Sequence, residues 1–313
     1  MSDSRQLPLF SDTPQKPEDI TRYTPFKATI AFFVQFLRRE GKSDHTIDAF
    51  SADLRLVGLC LGEDTPLNQL TTTKLYEFLD WLERGRGVPC SRKSYARRVT
   101  TLKVYFRWLH GIGAIRHDPA KAVVQRSGPA PLSYALSWAQ IDAAIAFAQT
   151  LRWKGERDYR PELLFRLLAD TGIKKSETIR LTLDEVDRLN PNRPLLFIRH
   201  KSRDVYKERR ILLSPDWPEL LDLYWQQYQP EKTIFDCTAR NLEYILTDIG
   251  EGAKIPFKLS FEVMRWTCAV CDFRNGMEEQ QIREKLGLSE SSWYETSAKI
   301  KKLIERIEEQ EAG

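Results

Sequence analysis

A single arginine, Arg265, interrupts the apolar run LSFEVMRWTCAVCDF from Leu259 to Phe273. A guanidinium is permanently charged and enters an apolar surface only with a partner, so Arg265 either anchors a neighbouring carboxylate or faces an anionic ligand. Both options stay open at this level. Lysine and arginine concentrate in two other places. Ser91–His110, SRKSYARRVTTLKVYFRWLH, holds Arg92, Lys93, Arg97, Arg98, Lys103 and Arg107 without one acid. Arg199–Arg210, RHKSRDVYKERR, holds six cations against Asp204 and Glu208. Ordinary solvated faces interleave the two signs, whereas a surface that meets a polyanion carries uncompensated cations. Arg92, Lys93, Arg97, Arg98 and Lys103 in the first stretch, and Arg199, Arg203 and Lys207 in the second, are therefore candidate anion contacts. Cys268 and Cys271 form a lone CxxC with no second Cys or His pair nearby. On a helix the two thiols sit one turn apart, which reads as packing rather than a metal site. No metal and no cofactor is expected.

The rest of the chain bounds what these residues serve. Its 313 residues suffice for two domains, and 42% hydrophobic with 29% charged residues fits a globular protein. A net charge of +4 is only mildly basic, so the distribution of charge matters more than its sum. No apolar run approaches the roughly 20 residues of a membrane span. The opening MSDSRQLPLFSDTPQ lacks a basic-then-apolar signal pattern, so a cytoplasmic protein is expected. Five thinly scattered cysteines argue against a disulfide framework.

From the N-terminus onward, residues 1–25 read as a mobile tail bearing proline and serine. Helical spacing then runs from Phe26 to Glu40, from Ser43 to about Leu61, from Thr71 or Thr72 to about Gly85, and from Ser91 to the GIG at 111–113. Residues 26–126 thus make a four-helix domain. In its last helix Val99, Leu102, Tyr105, Phe106 and Leu109 face the core, and Lys93, Arg97 and Arg98 project outward. SGPAPLSYALS reads as a linker over 127–136, with the second domain at 137–313. There LLFIRH and RRILLS flank KSRDVYKE as a hairpin, between helices starting near Ser137 and Arg160 and later ones near Pro218, Ala239, Ser260, Glu278 and Ser292. The fold class is mainly α with a small β-sheet.

The order TG-I-K-K-SE…L, a basic hairpin, LS-x-E-x-x-R, and LG-L-S before a terminal helix resembles the tyrosine recombinases, or phage-type integrases. The resemblance covers roughly residues 26–305. It implies an N-terminal SAM-like core-binding domain linked to an α+β catalytic-type domain. It also implies a chemistry: a tyrosine oxygen attacks a DNA phosphodiester, two arginines stabilise the charge, and a hairpin lysine protonates the leaving oxygen. Carried over residue by residue, the first arginine position holds Lys174, beside Lys175, and the hairpin lysine is Lys201. The H-x-x-R box reads Glu262 to Arg265, LGH reads Leu286-Gly287-Leu288, and the nucleophile position, nine beyond, is Ser297. Lys201 and Arg265 match; Lys174, Glu262, Leu288 and Ser297 depart. No histidine follows His200, and the only tyrosine after Tyr244 is Tyr294, three positions early.

The expectation is a double-stranded DNA-binding protein of this family, involved in DNA recombination or integration, with a degraded catalytic site in which Glu262 pairs with Lys174 or Arg265. It would clamp a duplex between its domains, beside an active recombinase. Two alternatives stand beside it: a divergent recombinase that uses Tyr294 as nucleophile, and a protein-interaction module without a DNA role. The resemblance further implies oligomers on DNA through the C-terminal helix. Gln6–Phe10, QLPLF, resembles the short peptide that bacterial proteins insert into the replication sliding clamp.

Overall fold

The computed structural model of the chain describes residues 14–125, 132–202 and 205–312, with no side chain described at 200–207 or 312. Gln6–Phe10 lies outside the described residues. Backbone contacts divide the chain into two units, Met1–Ala130 and Pro131–Gly313.

The first unit packs α1 (Phe26–Arg39), α2 (Asp44–Leu61), α3 (Thr72–Asp80) and α4 (Arg92–Gly111) around one core. Serines start two of them: the Ser43 hydroxyl accepts from the Thr46 amide at 3.3 Å and the Ser91 hydroxyl from the Ser94 amide at 3.1 Å. Each cap satisfies an amide the first turn leaves unpaired. Val99, Leu102, Tyr105, Phe106 and Leu109 of α4 are buried, as their spacing predicts. Tyr105 sits at the centre, edge-on to Phe26 and Phe33, with its hydroxyl 2.5 Å from that of Thr29. The tail expectation needs a correction at its C-terminal end. Ile20 is buried, and the Leu67 and Asn68 amides donate to the carbonyls of Thr24 and Arg22, so this stretch is held against the core.

In the second unit Leu136, within the stretch read as a linker, is already buried, and its amide donates to the Thr267 hydroxyl at 2.9 Å. Then come α5 (Trp138–Ala148), the strands β1 (Arg152–Trp153) and β2 (Glu156–Arg157), and α6 (Tyr159–Thr171). The β1–β2 hairpin turns on Lys154 and Gly155, both at positive φ, a geometry suited to a two-residue connection. The short α7 (Lys175–Thr178) leads to an antiparallel sheet of β3 (Val186–Asp187), β4 (Leu195–Ser202) and β5 (Val205–Leu212), in that order. After it follow α8 (Trp217–Tyr228), α9 (Ala239–Gly252), α10 (Phe261–Arg274), α11 (Glu279–Lys285) and α12 (Glu290–Ala312).

Apolar residues cover most of α6: Leu163, Leu164, Phe165, Leu167 and Leu168 are all buried, which makes it the central helix, packed against α8 and α10. It ends at Gly172, the glycine of the TG motif, in a left-handed cap at φ 56°. A Cβ there would meet the Cys268 Cβ at 3.1 Å and Leu286 at 3.0 Å. Close by, α12 buries Ile300, Leu303 and Ile307 against Ala269, Val270, Ile282 and Leu286. Arg274–Glu311 and Lys301–Glu279 ion pairs, both at 3.1 Å, flank that contact. The apolar face of the terminal helix is thus covered within its own unit. Among the described residues no helix is long and apolar enough to cross a membrane.

Gly172→Ala combines left-handed backbone, worth about 1–2 kcal/mol, with a crowded Cβ. Urea unfolding is expected to show a lowered midpoint at unchanged slope, with a destabilisation at or above the upper end of that range.

Candidate functional site

Arg265 projects from α10 between two other helix ends. Its Nη1 donates to the Gly172 carbonyl at 2.6 Å and its Nη2 to the Leu286 carbonyl at 2.5 Å. These are C-terminal carbonyls of α6 and α11, groups that helices leave without an internal partner. Burial presses the guanidinium's pKa below the ordinary arginine value, while the charge of nearby Glu177 opposes that shift. Glu262, one turn earlier on α10, is exposed. The expected lock between Arg265 and Glu262 gives way to a lock on main-chain oxygens, because the guanidinium is turned toward Gly172 and Leu286.

Beside it, Glu177 of α7 holds the inward-facing Arg209 of β5 with two hydrogen bonds, at 3.0 and 2.8 Å. Arg209 also donates from Nε to the Lys285 carbonyl at 2.9 Å, and the Lys174 amide donates to Glu177 at 2.7 Å. One ion pair therefore ties together the TG segment, the sheet and the end of α11. Its planar fork matches the carboxylate in a way a lysine would not. Burial pushes the Glu177 carboxyl up, but the bonds and charge of Arg209 and the Lys174 amide outweigh it and hold the pKa below the ordinary 4.5. Gly287, at φ 62°, leaves room for the guanidinium: a Cβ there would lie 3.0 Å from Arg209 Nη1.

Lys174, Arg209 and Leu288 line one side or another of an open cleft of about 1120 Å³ between α7, the sheet and α11. Six cationic side chains line it, Lys174, Arg180, Arg193, Arg209, Arg210 and Lys285, against the acids Glu177, Glu208 and Glu284. Arg265, Glu262 and Tyr294 are not among the lining residues. Tyr294 stands in the first turns of α12 and is 85% exposed. Ser297 follows one turn on, its hydroxyl donating to the Tyr294 carbonyl at 3.3 Å. The backbone of Lys201 pairs with Tyr206 in the hairpin, while its side chain, those of Lys207 and His200, and all of Arg203 lie outside the described residues. Arg199 is shared between Glu208 at 3.3 Å and Asp184 at 3.4 Å. Cys268 and Cys271 are both free thiols; burial pushes Cys268 well up and Cys271 up to about 12. Among the described residues no group of three or more Cys, His, Asp and Glu could hold a metal.

The basic stretch of α4 divides in two. Lys93, Arg97 and Arg107 are exposed and Lys103 is half-buried; Lys93 and Arg97, like Lys103 and Arg107, stand one helical turn apart. Arg92 is exposed at the first turn. Arg98, expected to project outward, is buried instead. The reason is Asp53, a buried acid of α2, which Arg97 grips at 2.9 and 2.7 Å and Arg98 approaches at 3.4 Å. The balancing acid missing from the α4 sequence comes from another helix. Thr101 adds a third bond to the same carboxylate at 3.0 Å.

Two basic surfaces, a SAM-like helical unit and an α+β unit with a basic hairpin define the architecture of a phage-integrase-type protein. The profile of the phage integrase N-terminal SAM-like domain matches residues 30–111. The tyrosine recombinase XerC of Mycobacterium sp. (strain JLS) is 32% identical over 160 residues, 50% of this chain and 52% of that protein. XerC of Lacticaseibacillus casei (strain BL23) is 24% identical over 279 residues, 82% of this chain and 89% of that protein. The chain spans about half the length of the XerC relatives it matches near 30% identity. The solved XerH site-specific recombinase bound to a palindromic difH substrate shares the fold at TM-score 0.70 and 15% identity, over 91% of this chain and 84% of that one. In sequence and in fold the chain is thus similar to the tyrosine recombinases.

Two stability experiments follow from this geometry. Asp53→Ala strands the buried Arg98 and is expected to cost about 3–5 kcal/mol, whereas Lys103→Ala should stay within about 0.5 kcal/mol. For Glu177, a carboxylate with a depressed folded pKa adds stability above its ordinary value and loses it as pH falls through the lower folded one. Glu177→Gln should therefore destabilise the protein at neutral pH, with the gap to wild type closing below pH 4.5 in denaturation series.

Proposed function

We propose that this protein binds double-stranded DNA as a member of the tyrosine recombinase family and holds it without cutting it. One observation carries the reading: the arginine that the family devotes to the scissile phosphate is committed here to the carbonyls of Gly172 and Leu286. The replaced positions agree with it. Lys174 brings charge but no bidentate fork, Leu288 brings no proton, and Glu262 repels a phosphate. Removing a single preorganised charge stabiliser costs about 10²–10³ in rate. Losing the attacking group removes the covalent route itself, and Tyr294 faces solvent instead.

Binding is assigned to both units, residues 26–126 as the core-binding domain and 137–313 as the catalytic-type domain, joined through 127–136. In the first, Arg92, Lys93, Lys103 and Arg107 supply backbone contacts, with Arg97 contributing the exposed part of a paired guanidinium. In the second, the hairpin around Lys201, Arg203 and Lys207 does so. XerH solved on difH and lambda integrase solved as a dimer on a core site support duplex DNA as ligand and assembly on it as the working state. An architectural or regulatory role beside an active recombinase, in the cytoplasm, fits a chain that keeps the scaffold and not the chemistry.

Fluorescence anisotropy with duplex DNA is expected to show affinity that falls steeply with salt. Replacing Lys93, Lys103 and Arg107 by glutamate should lower the log–log salt slope by about one for each phosphate no longer neutralised. Incubation with a nicked suicide duplex is expected to trap no covalent adduct. An adduct that disappears in Tyr294→Phe would instead make the protein a working recombinase.

A further inference from the structure

The cleft of the second unit holds cations that the fold does not use. Three of its six are matched to acids: Arg209 to Glu177 at 2.8 Å, Lys285 to Asp272 at 2.8 Å and Arg210 loosely to Glu208 at 3.9 Å. Lys174, Arg180 and Arg193 have no ion pair among the described residues, and all three are exposed. Among the described residues Arg180 donates from Nε alone, to the Ser176 carbonyl at 2.8 Å. That bond fixes its stem and leaves both terminal nitrogens directed elsewhere. Arg193 sits in the tight turn before β4, where its amide donates to the Asn190 carbonyl at 3.0 Å and the Asn190 side chain accepts from the Asn192 amide at 3.1 Å. Two guanidiniums on short, hydrogen-bonded turns thus face one open space together with a lysine.

An uncompensated cluster of this kind costs repulsion unless an anion relieves it. Arginine forks suit phosphate oxygens, and turn-anchored ones lose less freedom on binding than long flexible side chains do. We infer that Arg180 and Arg193, with Lys174, grip a backbone phosphate of bound DNA in this cleft. Arg265 is not among the residues that line this cleft. The inference rests on the DNA-binding reading above and adds to it two residues that the family's motif positions do not mark. Glu284 of α11 is the lining acid without an ion-pair partner among the described residues; it accepts from Gln280 at 2.9 Å and opposes the anion.

The test uses the full chain, duplex DNA and a salt series. Arg180→Ala/Arg193→Ala is expected to weaken binding on all sequences alike and to lower the log–log salt slope by about one, for the phosphate no longer neutralised. Arg180→Lys/Arg193→Lys should keep the slope, and Glu284→Gln should tighten binding, a gain that damaged folding cannot produce. If wild type binds duplex DNA and the double alanine variant keeps its slope, the cleft assignment is wrong while the DNA-binding reading survives. If wild type fails to bind at low salt, both fall together.

Discussion

The guanidinium of Arg265 closes the second unit's site by bonding two helix ends at once. Helices α6 and α11 terminate against α10 with carbonyls that need donors, and a single planar group satisfies one on each. Everything nearby depends on that closure. Gly172 takes the left-handed conformation that presents its carbonyl, Gly287 makes room for Arg209, and Arg209 reaches across to Glu177. The site is thus built around oxygens of the main chain, and its charged side chains serve first to hold helices together.

The two units divide their positive charge in the same manner. In each, some cations are consumed by buried acids: Arg97 and Arg98 by Asp53, Arg209 by Glu177, Lys285 by Asp272. Others have no such partner among the described residues, including Lys103 and Arg107 in one unit and Lys174, Arg180 and Arg193 in the other. A buried, paired charge fixes geometry, and an exposed cation adds long-range attraction that salt can screen. Counting lysines and arginines along the chain merges these two populations, although their effects on stability and on binding differ completely.

What the sequence revealed and what it hid follow from the range of the interactions involved. Helix spacing and serine caps act over three or four residues, so the α4 core face and the starts of α2 and α4 were legible. Arg98 was misjudged because its partner, Asp53, stands on a different helix and leaves no trace within the α4 segment. Glu262 looked like the partner of Arg265 because carboxylates are visible in a sequence and free carbonyls at helix ends are not. The β1–β2 hairpin and β3, each strand two residues long, carry too little periodicity to notice, though Lys154-Gly155 was a turn signal. Arg180 also had a visible cue, since it extends the basic run begun by Lys174 and Lys175, whereas Arg193 stands apart from any such run.

Lys174 enters the scaffold through its amide, which would be present with almost any other residue there. Glu262 lies on the surface. Arg265, by contrast, is anchored by contacts that only a fork can make. A change of side chain at Lys174 therefore leaves that amide bond in place, whereas Arg265 is held by the architecture itself, whatever part it takes in chemistry. A motif letter that the architecture itself requires persists for that reason alone, and its persistence is no measure of turnover.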